Sequence, residues 1–465
     1  MEEKRTFEVF QETLAAYISA NPKYYGIYLP SILIAPSRAE QVKTAAGFAR
    51  AELSALRPPS NGGGLPFVEI LVDASLGAFH ADAWLPVARD LAWRGARVGF
   101  TTNQPHLDEE VRARVTACDL GALPVLGVPV NTPCGLRRRA GSKGVRRASV
   151  PAKGLLRLAL VTMQRAIDRL TERWEVLLAP MGVRAVVSTS PLGLWTSTLF
   201  LAARRLGIST VLVQQGLPNG SLYRNTTCDC AVVWSGLGER MLRQCGWAES
   251  HIAIAVNPML PSEEERRLLR ERRRAELNLG AEEPVVLFLG GKSVDRTLAW
   301  ETYPGMCRAF AEGVSRTPGA RRPRVLFRQH PTELAPETER ILRASGVDPM
   351  VSRGASLVED IAAADVALST GSTALETAYL MGLPIADVNV AEIPFGEADF
   401  RWIGAPLLVT AEEVAGFLSG DYRAVPTAPL PPRRSAAEEI LELVSPPSFP
   451  GSQGMRGGGV RGRGE

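Results

Sequence analysis

Val366-Ala367-Leu368-Ser369-Thr370-Gly371-Ser372-Thr373-Ala374-Leu375-Glu376 is an apolar run that breaks into small hydroxylated residues and a glycine, then resumes with helix formers. The pattern predicts a strand, a tight turn and a helix that starts at once, the junction of a parallel α/β layer. There, backbone N–H groups, Ser/Thr hydroxyls and the positive end of a helix face one small space that suits a phosphate. Glu376 falls one turn into the helix, where its carboxylate would accept a hydrogen bond from a sugar hydroxyl. The same residues also fit a well-capped helix with no ligand.

Outward from this stretch, the same grammar recurs. Pro284-Val285-Val286-Leu287-Phe288-Leu289, Arg324-Val325-Leu326-Phe327-Arg328 and Pro384-Ile385-Ala386-Asp387-Val388 read as further strands with helices between them, after a charged amphipathic helix over Glu263 to Leu277. Upstream, Phe67 to Val72 and Ala96 to Phe100 are strands flanking a helix over Trp84 to Trp93 with Gly95 as its stop. A second such unit runs through Ala185 to Ser188, Trp195 to Leu206 and Thr210 to Gln214. Arg57-Pro58-Pro59-Ser60-Asn61-Gly62-Gly63-Gly64 is a linker by composition. The expected division is a mainly helical extension and linker over 1–62, an α/β domain over 63–256, a second over 257–445, and a disordered Gly/Pro/Arg tail over 446–465. The late helices are free to return to the first domain.

With 465 residues, 45% hydrophobic and 22% charged, the chain is a globular protein too long for one ordinary core. A formal net charge of +4 is too weak a bias to imply nucleic acid. No segment approaches the ~20 apolar residues of a membrane span, and Met1-Glu2-Glu3-Lys4-Arg5 is unlike a signal peptide, so the expectation is a cytoplasmic protein. Six scattered cysteines argue against a disulfide framework, and Cys228/Cys230 lacks the further ligands of a zinc site. The run Arg137-Arg138-Arg139 to Lys143-Gly144-Val145-Arg146-Arg147 is either a solvated loop or a patch for an anionic surface.

Open parallel sheets bind ligands beyond the carboxyl ends of their strands. Those positions are Asp73 and Ser75, Gln214-Gln215-Gly216, Gly290-Gly291-Lys292, Arg328-Gln329-His330-Pro331, and Ser369-Thr370-Gly371-Ser372. The second half thus gathers Lys292, Arg328, His330 and the Ser/Gly turn into a candidate diphosphate or nucleotide site. The first half has no G-x-G-x-x-G; it offers Asp73 and His80, a carboxylate and an imidazole able to take a proton from a hydroxyl near neutral pH.

These motifs resemble the nucleotide-sugar-dependent glycosyltransferases of the GT-B architecture, over roughly residues 66–420. Ser369 to Glu376 with Gly382-Leu383-Pro384-Ile385 resembles the segment that holds donor phosphate and ribose there. Val211-Leu212-Val213-Gln214-Gln215-Gly216 is similar to the Val-x-x-Gln-His-Gly of bacterial surface-polysaccharide transferases, with Gln215 in place of the histidine. Asn257-Pro258 resembles their interdomain Gly-Asn-Pro, and His330-Pro331 the His-Pro of sialyltransferase-like and capsule enzymes. His80 ahead of Trp84-Leu85-Pro86 resembles the acceptor-deprotonating loop of inverting natural-product enzymes. The resemblance implies two Rossmann-like domains facing a cleft and sugar transfer from a nucleotide-sugar to an acceptor hydroxyl on a glycan, lipid-linked or small-molecule acceptor. The nucleotide-sugar is the substrate, with no further cofactor and no metal. His80, aided by Asp73, would be the base. Gly291, Lys292, Arg328, His330, Ser369, Thr370, Gly371, Ser372, Thr373 and Glu376 would hold the donor, with Gln214, Gln215 and Gly216 on the acceptor side. Retaining members often pair two glutamates eight positions apart; Leu368 stands eight before Glu376, which favours inversion. Sugar-nucleotide epimerases of the same fold, or a non-catalytic nucleotide-binding protein, are the alternatives. Contact of Arg137–Arg147 with the inner face of a membrane and self-association are left open; no nucleic acid is expected.

Overall fold

The computed structural model describes residues 67–74, 81–102, 105–118, 125–127, 153–190, 194–218, 223, 228–290, 299–319, 322–329, 335–390, 399–420, 422 and 434–444. The expected 1–62 extension, the Arg137–Arg147 run and the 446–465 tail lie outside these residues.

The first sheet contains β1 (Ile70–Asp73), β2 (Val98–Thr102), β3 (Val125–Gly127), β4 (Ala185–Ser188), β5 (Ser209–Val213), β6 (Cys230–Val233) and β7 (Ile252–Ile254), in the order β3-β2-β1-β4-β5-β6-β7. Helices α1 (Ala81–Trp93), α2 (Pro105–Ala117), α3 (Lys153–Leu178), α4 (Leu194–Arg205) and α5 (Gly236–Gln244) alternate with its strands. The second sheet holds β8 (Val285–Leu289), β9 (Arg324–Arg328), β10 (Met350–Val351), β11 (Val366–Ser369), β12 (Ile385–Val388) and β13 (Leu407–Leu408), in the order β10-β9-β8-β11-β12-β13. With it go α6 (Glu263–Glu276), α7 (Ala299–Arg316), α8 (Ala335–Ala344), α9 (Leu357–Ala363), α10 (Ala374–Leu380) and α11 (Ala411–Leu418). Every strand pair is parallel. The protein is an α/β chain of two Rossmann-like domains, the GT-B architecture.

Central strands are apolar on both faces because helices cover both. All five residues of β8, Val285-Val286-Leu287-Phe288-Leu289, are buried. Phe288 stacks on Phe310 of α7 with ring centroids 4.0 Å apart, and Trp84 of α1 lies 5.1 Å from Phe100 of β2. Helix starts follow the S/T-x-x-E capping box at Ser262–Glu265, Ser356–Glu359 and Thr410–Glu413. The charged helix α6 docks through its arginines: Arg270 and Arg274 donate to the carbonyls of Ala362, Ala363 and Ala364, which end α9.

The last helix, α12 (Ala436–Val444), packs on the first domain. Ala436, Ala437, Ile440 and Val444 form one apolar face, buried in a core shared with Trp84, Leu91 and Val232. The chain reaches that face alongside the interdomain linker, where Val256 N–H donates to the Arg434 carbonyl at 3.0 Å.

Ile440→Ala should therefore lower the stability of the first domain by about 2–5 kcal/mol. Faster hydrogen exchange in α1 and β6, with β8 and β11 unchanged, is the expected result; loosening of the second sheet instead would contradict this placement.

Candidate functional site

Each sheet changes winding direction at its centre, between β1 and β4 in the first and between β8 and β11 in the second. A cleft of about 270 Å³ lies between the carboxyl ends of β5 and β6 in the first sheet and those of β8, β9 and β11 in the second. Gln215, Gly216 and Trp234 come from the first domain, Asn257 and Met259 from the linker, and Gly290, Arg328, Gln329, Ser372, Thr373, Glu376 and Thr377 from the second. A Cβ built on Gly216 would lie 3.9 Å from Thr373 Oγ1, so the two walls nearly touch there. A larger recess of about 760 Å³ lies at the opposite, amino-terminal edge of β11 and β12, beneath α6. Its Arg266, Arg267 and Arg270 are already paired with protein carbonyls and carboxylates.

Gly371 turns the chain after β11 with φ +87°, a conformation that suits glycine. Its N–H donates to Asp387 Oδ1 at 3.0 Å, and Ser372 N–H donates to Ser369 Oγ at 2.7 Å. Ala374 N–H donates to Ser372 Oγ at 3.3 Å. The expected open nest of N–H groups is thus largely engaged by the turn's own hydroxyls and by Asp387 of β12. Thr373 is exposed at the tip, and its N–H and hydroxyl have no partner among the described residues. Thr370 is fully buried and its hydroxyl has no partner among the described residues.

Arg328 lines the cleft but is not an isolated cation. Its Nη1 donates to Asp360 Oδ2 at 2.6 Å and to the Ala355 carbonyl at 2.9 Å. Asp360 is fully buried and also accepts from Arg273 at 3.1 Å and Ser352 at 2.5 Å. Two guanidiniums thus converge on one buried carboxylate, and Arg273 is also paired with Glu276 at 2.9 Å.

Glu376 departs furthest from expectation. It is 4% exposed, and both oxygens accept bonds from the first domain. Gln214 Nε2 donates to Oε2 at 2.7 Å, and Ser235 Oγ donates to Oε1. Burial pushes the carboxyl up to about 7, while these two bonds pull the other way. Gln214 consequently belongs to the domain contact, and Gln215 and Gly216 carry the first domain's cleft wall.

Asp73 is 4% exposed at the end of β1. Its Oδ2 accepts from Ser188 Oγ at 3.0 Å and from Thr196 Oγ1 at 2.6 Å. It ties β1, β4 and α4 together instead of standing open as a base. His80, Gly291, Lys292 and His330 lie outside the described residues. Among the described residues, no group of three or more His, Cys, Asp or Glu side chains could hold a metal ion. Among them, too, no helix is long and apolar enough to cross a membrane. Ser235 and Asp387 were absent from the candidates, although both stand at the carboxyl ends of strands, β6 and β12; the strand-end rule finds them once those two ends are included.

Asp387 is pushed up to about 7 by burial and by the nearby Asp399, with the Gly371 N–H acting in the opposite sense. A carboxyl raised on folding contributes stability below its unfolded value of about 3.8 and loses it as pH rises through about 7. Asp387→Asn keeps an acceptor for Gly371 and should melt higher than wild type at pH 8 but not at pH 4. A difference independent of pH would contradict this account of Asp387.

No protein-family model matches the chain, and no curated protein matches it. Solved structures share its fold. UDP-GlcNAc 2-epimerase from Methanocaldococcus jannaschii is 14% identical, covers 81% of this chain and 98% of its own, and superposes with a TM-score of 0.50. UDP-GlcNAc 2-epimerase from Neisseria meningitidis is 12% identical over 81% of this chain and 99% of its own, with a TM-score of 0.49. MurG from Acinetobacter baumannii is 14% identical over 82% of this chain and 99% of its own, with a TM-score of 0.44. At these identities the likeness is one of fold: two facing Rossmann-like domains.

Proposed function

We propose that this protein transfers a sugar from a nucleotide-sugar donor to an acceptor hydroxyl in glycan or glycoconjugate biosynthesis, by direct displacement with inversion and without a metal. The observation that carries this reading is the cleft itself, in which Arg328, Ser372 and Thr373 of one domain face Gln215 and Gly216 of the other. The donor's diphosphate would lie against Arg328 and the exposed tip of the Ser369–Thr373 turn, with the Gly291 N–H, Lys292 and His330 as further donors. These groups would stabilise the charge that develops on the departing phosphate. Glu376 accepts one bond per oxygen, and a carboxylate offers about four lone-pair sites, so it retains capacity for a ligand hydroxyl. On the acceptor side His80 would remove the hydroxyl proton, aided by Asp73. The acceptor is a glycan, lipid-linked or small molecule. Work at the cytoplasmic face of a membrane through Arg137–Arg147 would suit a lipid-linked one.

Thermal stabilisation by a panel of nucleoside diphosphates and CMP identifies the base, because a bound nucleotide stabilises by mass action. With the matching sugar donor, glycosidic product on a supplied acceptor supports transfer. Donor turnover without acceptor indicates an epimerase or hydrolase, and binding without turnover on an acceptor panel indicates a non-catalytic nucleotide-binding protein.

Arg328→Ala should lose nucleotide affinity by about 1.5–3 kcal/mol and also lower the melting temperature, because Asp360 loses a partner. Ser352→Ala removes another Asp360 bond away from the cleft and should lower only the melting temperature. Equal affinity losses in both variants would move the phosphate elsewhere.

His80→Ala should cut turnover ~100-fold or more with donor affinity unchanged. Steady-state rates and separate nucleotide titrations decide it. Turnover near wild type would remove His80 from the mechanism.

A further inference from the structure

Gln214, Ser235 and Glu376 form a chain of hydrogen bonds between the domains. Trp234 N–H donates to Gln214 Oε1 at 3.0 Å, which turns Gln214 Nε2 toward Glu376. Gly238 N–H donates to Ser235 Oγ at 3.2 Å, leaving the hydroxyl proton for Glu376 Oε1. Both first-domain side chains are thus pre-oriented by their own backbone before they meet the carboxylate. Gly238 makes room: a Cβ there would come within 2.6 Å of Gln214 Oε1. Around the polar chain the contact is apolar, with Leu237 and Met241 of α5 packed in one core with Leu375 and Tyr379 of α10. Beside it, the Arg240 guanidinium lies 4.3 Å over the Trp402 ring.

A buried carboxylate whose donors, among the described residues, come from the opposite domain gives the domain contact one defined register. Apolar packing alone tolerates sliding, whereas displacement here leaves a desolvated charge without donors. Glu376 also sits within one turn of Ser372 and Thr373, so whatever fixes Glu376 fixes the second domain's cleft wall.

We propose that Gln214 and Ser235 are positioning residues that clasp Glu376, lock the two domains in register and so set the spacing of the cleft walls. This clasp stands whether or not the cleft carries out sugar transfer.

The test is hydrogen exchange of the full chain without ligand. Gln214→Leu removes the donor to Glu376, and exchange should accelerate about tenfold on both sides of the contact, over 234–241 and over 374–380, with β1 and β8 unchanged. Ser235→Ala should act in the same direction. The reciprocal pair Gln214→Glu with Glu376→Gln preserves the contact. The new carboxylate accepts from Trp234 N–H and from the new amide, whose oxygen accepts from Ser235. Exchange in this pair should return to the wild-type rate. Wild-type exchange in both single variants would overturn the clasp. So would acceleration confined to 234–241, or a reciprocal pair as loose as Gln214→Leu.

Discussion

Parallel pairing is the constraint on which the rest depends. Successive parallel strands cannot be joined by tight hairpins, so each connection crosses a face of the sheet and returns to the same starting edge. Every strand carboxyl end therefore lies on one edge of its sheet, and the apolar residues of the central strands lie under helices. The long buried runs of β8 and β11 follow from the second consequence, and the polar residues that follow strands β1, β5, β6, β8, β9, β11 and β12 follow from the first. Two such sheets placed edge toward edge produce one cleft whose lining comes from segments far apart in the chain.

Polar groups gathered at those edges must satisfy one another wherever water is excluded. Asp73 does so with Ser188 and Thr196, Asp360 with Arg273, Arg328 and Ser352, and Asp387 with the Gly371 N–H. These networks tie neighbouring elements together at the strand ends. They also change what its residues offer a ligand, since a guanidinium held by a carboxylate presents less charge than a bare one, and an N–H held within a turn is no longer open to an anion. Exposed Thr373 and the cleft-lining Arg328 stand on the second domain's wall.

The domain contact obeys the same rule at higher stakes. Glu376 exchanges water for two donors from the opposite domain, and its carboxyl, pushed up to about 7, records that burial outweighs what those bonds return. The neighbouring apolar packing of Leu237 and Met241 on Leu375 supplies attraction, while the carboxylate supplies direction. The return of α12 to the first domain adds a second chain crossing beside Val256, so the linker is a paired segment and not a single tether.

What the amino-acid order determined by itself was local. Strand, turn and helix around Val366–Glu376 and the α/β class were legible, because each depends on neighbours within a few residues. Short edge strands such as β10 and β13, two residues each, carried no periodic signal. The roles of the polar residues were decided only by tertiary structure. Gln214 and Ser235 are 162 and 141 positions from the carboxylate they hold, and nothing in their own segments marks them as its partners. Arg328 reads as a free cation until Asp360, 32 positions on, is folded against it. A side chain's chemical type is written in the sequence, but its charge state and remaining hydrogen-bonding capacity depend on burial and partners, which exist only after distant segments have packed.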